Sequence, residues 1–379
     1  MKKIFKSKSL SIGLALFSMF FGAGNIVFPL AVGQFSGDKT LFASLGLILT
    51  AAIIPIAGVI AMILFEGSHR HFFGRLGKVP GFLLSLAIIS LLGPLGSTPR
   101  CIALAYTTLK SAFLDISPVA FSAIVCGLIF ACTVKRNHIL TILGWILTPV
   151  LLASLIAIIA IGLFTPSDVQ NVDQTHLDIF VHGLKEGYNT MDLLAAFFFS
   201  STILNNLKQK TSHPIPTAFR ASVIGAVLLA LIYIGFSTVA SFHGAQVAVH
   251  GKDELLAAIT LYIAGPYGGP LVCIAIALAC FTTAIALIAA FTDFVHREVL
   301  QERISYRPIL VGALIFTFFV SICEFTQISA FLGPVLQICY PGLIVLTGLN
   351  IAHRLKDFKP VRWPVFGAFG LTTVYYFLG

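Results

Sequence analysis

A short polar sequence interrupts the first long apolar stretch of the chain. Gly22, Ala23, Gly24 and Asn25 lie near the middle of residues 10–33, which are otherwise mostly apolar. Glycine weakens a helix and exposes its backbone, and an asparagine surrounded by lipid needs a hydrogen-bond partner. A broken helix here could hold a carboxylate on its N–H groups and a cation on its carbonyl groups. The alternative is a Gly-x-Gly face used for close helix packing.

An acidic residue begins another apolar segment further along the chain. Asp192 is followed by apolar residues up to Phe199, and Ser200, Ser201 and Thr202 come next. A carboxylate in a membrane segment is costly, so Asp192 is a functional candidate, including for proton coupling. The three hydroxyls mark a place where the helix could unwind. Alternatively, Asp192 only caps the outer end of the helix, as acidic residues do near helix N-termini.

A pair of threonines forms the third candidate site. Thr282 and Thr283 follow Ala279-Cys280-Phe281 in a long apolar segment. Adjacent hydroxyls could supply oxygen ligands to a hard cation such as sodium. The alternative is that each hydroxyl donates to a backbone carbonyl three or four residues earlier.

One basic residue falls inside an apolar segment. Arg100 follows Gly93, Pro94, Gly96 and Pro99, a pattern that predicts an irregular helix. Near a helix end, the arginine is expected to extend towards the outer membrane interface.

Motifs for catalysis are missing from the sequence. The seven cysteines lie in apolar segments without CxxC or zinc spacing, so we interpret them as small buried residues. The chain contains no HExxH, no Ser-His-Asp pattern and no Walker loop. These features argue against an enzyme and against a cofactor other than a coupling ion.

Composition excludes a water-soluble protein. Of the 379 residues, 58% are hydrophobic and 10% are charged, and the mean hydropathy is +0.97. Soluble domains are about 45–50% apolar and about 25% charged. The net charge of +9 comes from basic residues in short connections between apolar segments, so nucleic acid is not an expected partner. The sequence predicts an all-α polytopic protein of the lipid bilayer.

The apolar segments predict about eleven transmembrane helices in one domain, residues 1–379. The predicted spans are about 10–33, 41–65, 81–106, 117–134, 138–164, 188–207, 217–242, 263–294, 308–326, 329–352 and 361–378.

The distribution of basic residues predicts the orientation. With the N-terminus in the cytoplasm, 19 of the 24 Lys and Arg residues face inward, and only Lys39, Lys110, Lys185 and Lys252 face outward. The acidic connection 165–187 is then an exposed outer loop. This predicts a multi-pass protein of the cytoplasmic (inner) membrane.

Four motifs in this order resemble the branched-chain amino acid carriers, the system II or LIVCS transporters. The first motif is Gly13-Leu14-Ala15-Leu16-Phe17, which leads into Phe21-Gly22-Ala23-Gly24-Asn25, and the second is Gly93-Pro94 followed by Pro99-Arg100. The third is Gly187-Tyr188 followed by Thr190-Met191-Asp192, and the fourth is Cys280-Phe281-Thr282-Thr283-Ala284. The resemblance covers nearly the whole chain.

Such carriers are similar to the leucine-transporter (APC) superfamily, which implies a fold. Two inverted repeats of five helices, about 10–164 and 188–352, would be followed by an extra helix at about 361–378. Helices 1 and 6 would be broken around the substrate.

The resemblance also implies roles for individual residues. Gly22, Ala23, Gly24 and Asn25 would bind the carboxylate of the amino acid through backbone N–H groups. Phe199, Ser200 and Ser201, at the break of the sixth helix, would contact the ammonium group and side chain. Ser18, Phe21, Ala279, Thr282 and Thr283 would form a sodium site between the first and eighth helices.

The main hypothesis is a secondary symporter that imports leucine, isoleucine and valine with sodium. One alternative is a proton-coupled or broader-specificity amino acid carrier that uses Asp192. The other is a passive channel or structural membrane protein, although the repeated pore-lining ring expected of a channel is not visible in the sequence.

Overall fold

Every regular element of the computed structural model is helical within the residues that it describes, 2–112, 116–134, 147–165, 169–210 and 213–378. The α-helices are α1 Lys2–Phe20, α2 Ala23–Ser36, α3 Thr40–Ile48, α4 Ile54–Leu64, α5 His69–Gly74, α6 Lys78–Leu92, α7 Ser97–Ala112, α8 Pro118–Thr133, α9 Thr148–Phe164, α10 His176–Asn189, α11 Asp192–Lys210, α12 Pro214–His243, α13 Leu255–Ala264, α14 Gly268–Phe294, α15 Tyr306–Ser321, α16 Phe325–Lys356 and α17 Arg362–Leu378. Short π-helical turns, Leu49–Ile53 and Val295–Val299, join α3 to α4 and extend α14.

The described helices are suited to a lipid environment. Five helical segments within those ranges are long and apolar enough to cross a membrane: Ala23–Leu64, Lys78–Lys110, Pro214–His243, Leu255–Val299 and Phe325–Lys356. Shorter apolar helices are Ser9–Phe20, Pro118–Thr133, Thr148–Phe164, Asp192–Leu204 and Tyr306–Ser321. Large apolar side chains also point outward, with Phe164 88% exposed and Trp363 85% exposed. The count of eleven crossings stays a prediction, and residues 138–146 of the fifth span lie outside the described residues.

Helix breaks fall within the predicted first, third and sixth spans. The first span breaks between Phe20 and Ala23, at the glycine sequence where an interruption is predicted. The third span is interrupted by turns at 93–96, as its prolines and glycines predict. The sixth span is also broken, but between Asn189 and Asp192.

Part of the predicted loop before the sixth span is helical. Residues 176–187 belong to α10, so the prediction that 165–187 forms an exposed loop is wrong for this part of the segment. Helix α10 is amphipathic and buries Ile179, Gly183, Glu186 and Gly187 at helical spacing. Its polar residues made it look like a loop, although its apolar positions follow a helical period.

Helices α3 and α10 touch through their backbones. A Cβ atom at Gly183 would overlap the carbonyl oxygen of Ala43, and one at Gly46 would overlap that of Phe180. Small residues allow such close approach between membrane helices. This contact holds α10, and therefore the break that follows it, against the helix that comes after the first broken span.

We expect Gly183→Ala to destabilise the protein because the added methyl group forces α3 and α10 apart. Overpacking of this kind costs about 1–3 kcal/mol, which corresponds to a fall of several degrees in the melting temperature. The measurement is thermal unfolding of the purified protein in detergent. The matched control is Gly127→Ala in α8, where a Cβ meets nothing within 4 Å. Equal melting temperatures for the two variants would contradict the proposed contact.

Candidate substrate and ion site

The first helix break exposes backbone polar groups. Helix α1 ends at Phe20, Gly22 is extended with φ −116° and ψ −159°, and α2 begins at Ala23. The Gly22 N–H donates to Asn25 Oδ1 at 3.1 Å, and the Asn25 N–H donates to the Gly22 carbonyl at 3.1 Å. Pro29 has no N–H, so the Asn25 carbonyl lacks its usual helical donor. The break therefore leaves a backbone acceptor without its helical partner, and Asn25 ties its two sides together.

The second helix break lies directly before the acidic residue. Helix α10 ends at Asn189, and Met191 adopts a left-handed conformation with φ 65° before α11 begins at Asp192. The Thr190 hydroxyl donates to the Gly187 carbonyl at 2.8 Å and so satisfies a carbonyl at the end of α10. The N–H of Leu193, in the first turn of α11, donates to the Tyr340 hydroxyl at 3.2 Å. Each end of this break has side-chain partners.

The predicted break at Phe199 and Ser200 is wrong. Both residues, together with Ser201, lie in the interior of α11, which is continuous there. The Ser200 hydroxyl donates to the Ala196 carbonyl within the same helix, which satisfies it without any unwinding. The ring of Phe199 packs edge-on against Phe20 at 5.3 Å between centroids, so it still lies beside the first break.

A buried polar cluster joins the two breaks. Asn25 Nδ2 donates to both carboxylate oxygens of Asp192, at 2.9 and 2.7 Å, and it also contacts the Tyr233 hydroxyl. The Tyr233 hydroxyl donates to Asp192 Oδ2 at 2.8 Å. All three side chains are at most 2% exposed, and Asp192 forms no ion pair with a described residue. A role of Asp192 as a helix cap alone does not explain these contacts with Asn25 of α2 and Tyr233 of α12.

Arg100 reaches the same place from α7. Its side chain is 1% exposed, and Nη2 donates to the Asn189 carbonyl at 3.0 Å. The prediction that it extends to the outer interface is therefore wrong. A Cβ atom on Gly24 would lie 2.6 Å from Arg100 Nη2 and 3.1 Å from the Asn189 carbonyl oxygen. Only a glycine at position 24 leaves room for the guanidinium where the two breaks meet.

An ion pair lies in the last turn of α10, just before the break in the sixth span. Glu186 Oε1 lies 3.1 Å from Lys252 Nζ, which belongs to the turns between α12 and α13. Glu186 Oε2 accepts a hydrogen bond of 2.9 Å from Asn189 Nδ2. The connection between α12 and α13 is thereby attached to the last turn of α10, next to the residue that receives Arg100.

The candidate sodium ligands come together between α1 and α14. The hydroxyls of Thr282 and Thr283 donate to the carbonyl of Ser18 at 3.0 and 3.1 Å. Thr282 also donates to the Ala279 carbonyl at 3.1 Å. Four of the five predicted ligands thus share one hydrogen-bond network, and the fifth, Phe21, follows the end of α1. The interpretation in which the threonines serve only their own helix does not account for the bonds to Ser18.

The chemistry of these ligands suits a hard monovalent cation. Hydroxyl and carbonyl oxygens are the ligands that such ions prefer, and carbonyls at the end of a helix half carry a partial negative charge. Among the residues that the structure describes, no group of three or more His, Cys, Asp and Glu side chains could hold a metal ion. A transition-metal site therefore has no support in this part of the chain.

Sequence reasoning missed several residues of the site. Tyr233 and Tyr340 are fully buried and supply hydroxyls to the two breaks, yet aromatic residues in apolar segments are expected as ordinary core. Arg100 was recognised as the basic residue inside an apolar segment, but it was expected at the membrane interface and lies in the protein interior. Asn189, three residues before Asp192, was the available sign of the second break, because asparagine is poorly suited to a helix interior.

Comparison with known proteins identifies the family. Residues 5–373 match the family model described as "Branched-chain amino acid transport protein". The chain belongs to this family. The membership confirms the resemblance found in the four motifs, and it places this multi-pass membrane protein among transporters rather than enzymes.

Relatives match over most of their length. The chain is 32% identical over 370 residues to the branched-chain amino acid permease BrnQ of Bacillus subtilis, covering 93% of this chain and 83% of the relative. It is 28% identical over 355 residues to BrnQ of Corynebacterium glutamicum, covering 92% and 82%. Identity to the branched-chain amino acid transport system 2 carrier protein of Pseudomonas aeruginosa is 28% over 364 residues, covering 91% and 81%.

A solved structure shares the fold. It is the substrate-bound, outward-open state of a Na⁺-coupled sialic acid symporter, which matches with a TM-score of 0.65 over 97% of this chain and 88% of that chain. The sequence identity is 12%, so the match shows the fold alone. The division into two inverted repeats stays a prediction.

Proposed function

We propose that the protein is a secondary symporter that imports leucine, isoleucine and valine across the cytoplasmic membrane together with sodium. The family supports the substrate class, and the two helix breaks supply a place to bind it. The observation that carries the sodium proposal is the convergence of Thr282 and Thr283 on the Ser18 carbonyl, two residues before the end of α1.

The substrate would lie between the two breaks. Its carboxylate would bind at the start of α2, where the N–H groups of Ala23 and Gly24 lie in the first turn and the helix dipole favours an anion. Its ammonium group would lie towards the Asp192 carboxylate, and its side chain towards apolar residues such as Phe199. An apolar pocket separates substrates that differ by one methylene by only about 1–3 kcal/mol, so related amino acids are expected to compete.

Sodium would couple transport by joining two helices. An ion held by the Ser18 and Ala279 carbonyls and the two threonine hydroxyls fixes the end of α1 against α14. When the ion leaves, those helices lose that shared ligand and can separate. Helix α1 can then move relative to α14 while α2, held by Asn25 and Asp192, keeps its contacts.

A second candidate is coupling to protons through Asp192. The specific observation is that this carboxylate is buried with neutral hydrogen-bond donors and without an ion pair among the described residues. Because burial disfavours the charged form of a carboxylate, such a group readily takes up a proton or a mobile cation. A carrier of broader amino acid specificity would use the same residue.

The deciding experiment is uptake of labelled leucine by proteoliposomes with an inward sodium gradient, an inward proton gradient or no gradient. We expect accumulation only with sodium, and competition by isoleucine and valine. Equal uptake under all three conditions would overturn sodium coupling, and accumulation that follows only the proton gradient would establish the second candidate. Counterflow distinguishes a carrier from a passive channel, since only a carrier exchanges labelled for unlabelled leucine in a saturable way.

A further inference from the structure

Arg100 carries a buried cation with one side-chain hydrogen bond among the described residues and one N–H group that has no partner there. The guanidinium has five N–H donors, and the hydrogen bond that the structure gives it is from Nη2 to the Asn189 carbonyl. Its Nε is buried without a partner, and the side chain forms no ion pair with a described residue. Unpaired donors on a buried charge are costly, so an anionic partner is expected.

The guanidinium is held at the meeting point of the two helix breaks. Its Cζ lies 5.4 Å from the centre of the Phe28 ring and 5.8 Å from that of Phe325, which confines the group between two apolar surfaces. The turn at 93–96 positions the start of α7, where the Arg100 N–H donates to the Gly96 carbonyl at 3.0 Å. The backbone of Arg100 is therefore fixed by the fold, and the two rings restrict where its guanidinium can lie.

A purely structural role explains only part of this arrangement. One N–H group suffices to bond the Asn189 carbonyl and to place a positive charge at the C-terminus of α10. The adjacent Gly24 lies in the first turn of α2, where helical N–H groups lack carbonyl partners. A planar guanidinium beside a helix N-terminus matches a carboxylate, which accepts parallel hydrogen bonds from both.

The geometry points to Arg100 as the residue that binds the carboxylate of the transported amino acid, together with the N–H groups at the start of α2. This inference rests on the proposed function and adds a specificity determinant to it. Arg100 and Asp192 then provide opposite charges on either side of the second break, an arrangement complementary to a zwitterion. A substrate without a carboxylate loses the charged contacts with Arg100 and with the N–H groups of α2, and it keeps the contacts of its ammonium group and side chain.

The test compares leucine with leucinamide, which retains the ammonium group and side chain but lacks the carboxylate. Dissociation constants are measured by titration calorimetry in sodium for the wild-type protein, Arg100→Gln and Arg100→Lys. We expect Arg100→Gln to weaken leucine binding by about 100-fold and leucinamide binding by less than about threefold. Arg100→Lys keeps the charge without the planar fork, so we expect about a tenfold loss for leucine.

The control is Arg303→Gln, which removes an exposed arginine and is expected to leave both dissociation constants unchanged. Equal losses for leucine and leucinamide in Arg100→Gln, or wild-type leucine binding in that variant, would overturn the inference alone. If Arg100→Gln does not fold, Arg100→Lys decides, because a loss of about tenfold for leucine with nearly unchanged leucinamide binding supports the inference, whereas equal losses for the two compounds overturn it. Failure of the wild-type protein to bind leucine at all would instead overturn the proposed function and, with it, this inference.

Discussion

Replacing both Thr282 and Thr283 with alanine is expected to abolish sodium-driven leucine uptake at ordinary sodium concentrations. The double variant removes two hydroxyl oxygens from the site between α1 and α14 and leaves the backbone carbonyls in place. If each hydroxyl contact with the ion is worth about as much as a hydrogen bond to a charged group, the loss is about 3 kcal/mol or more. The sodium concentration for half-maximal uptake should therefore rise about 100-fold or more.

The same variant separates an ion site from a merely structural contact. Bound sodium stabilises the folded protein, so the melting temperature of the wild-type protein should rise with sodium concentration when potassium replaces sodium at constant ionic strength. In the double variant this dependence should disappear. The protein itself should lose only about 1 kcal/mol per deleted hydrogen bond, so it is expected to remain folded and available for measurement.

Two controls are offered by the chain itself. Thr292→Ala removes another buried hydroxyl of α14, one that donates at 2.7 Å to Ile288 of its own helix, and it should leave the sodium response unchanged. The double change to serine at positions 282 and 283 keeps both hydroxyls and should retain uptake. Sodium-dependent uptake that survives in the alanine variant would place the coupling ion elsewhere.

Much of the helical architecture and the first break follow from short-range sequence features. Apolar runs of about 20 residues predict membrane helices in any context, because lipid accepts exposed apolar side chains. The glycines before Asn25 weaken the helix locally, and the structure interrupts the helix at that place. The threonine pair could be proposed as ion ligands because adjacent hydroxyls on a helix reach the same neighbour, here the Ser18 carbonyl.

The second break could not be placed in this way, because two segments offered similar sequence features. Ser200 and Ser201 looked like sites of unwinding, but a serine can equally donate to a carbonyl of its own helix, as Ser200 does. The actual break lies before Asp192 and is stabilised by long-range partners, namely Tyr340 and Arg100. Periodicity and composition carry no information about which distant side chain will arrive at a helix end.

The burial of Arg100 was the other feature that the sequence could not predict. Arg100 near a helix end would ordinarily extend to the interface, where its charge is hydrated. In the structure, the turn at 93–96 and the absence of a side chain on Gly24 make a place for the guanidinium inside the protein. Gly24 on one helix makes room for Arg100 on another, and sequence patterns within a single helix do not predict such a contact between helices.

Asp192→Asn is expected to lower the kcat/KM of sodium-driven leucine uptake about 30-fold or more. The carboxylate accepts from Asn25 and Tyr233, and the same Asn25 side chain accepts the Gly22 N–H at the first break. Removing the negative charge takes away the counter-charge for the substrate ammonium and loosens Asn25. Losing one partner of a buried, hydrogen-bonded charge pair, here the carboxylate and the substrate ammonium group, costs about 2–5 kcal/mol. A cost of this size corresponds to a fall in kcat/KM of about 30-fold or more.

The stability of this variant should change in the opposite sense. The cost of burying the Asp192 carboxylate outweighs its attraction to Arg100, with which it forms no ion pair, and asparagine has nearly the same shape without the charge. We therefore expect the melting temperature of Asp192→Asn to equal or exceed that of the wild-type protein in the absence of substrate. A drop in uptake caused by misfolding would instead be accompanied by a lower melting temperature.

The matched control for charge removal is Asp173→Asn. Asp173 is exposed in the segment that precedes α10, so its neutralisation removes the same formal charge outside the cluster and should leave uptake unaffected.

The response of uptake to sodium and proton gradients shows which role Asp192 has. Loss of uptake under a sodium gradient shows that the charge serves substrate or ion binding. Normal sodium-driven uptake in Asp192→Asn, with loss of a response to pH that the wild-type protein shows, would make Asp192 the proton site and would contradict its proposed contact with the ammonium group.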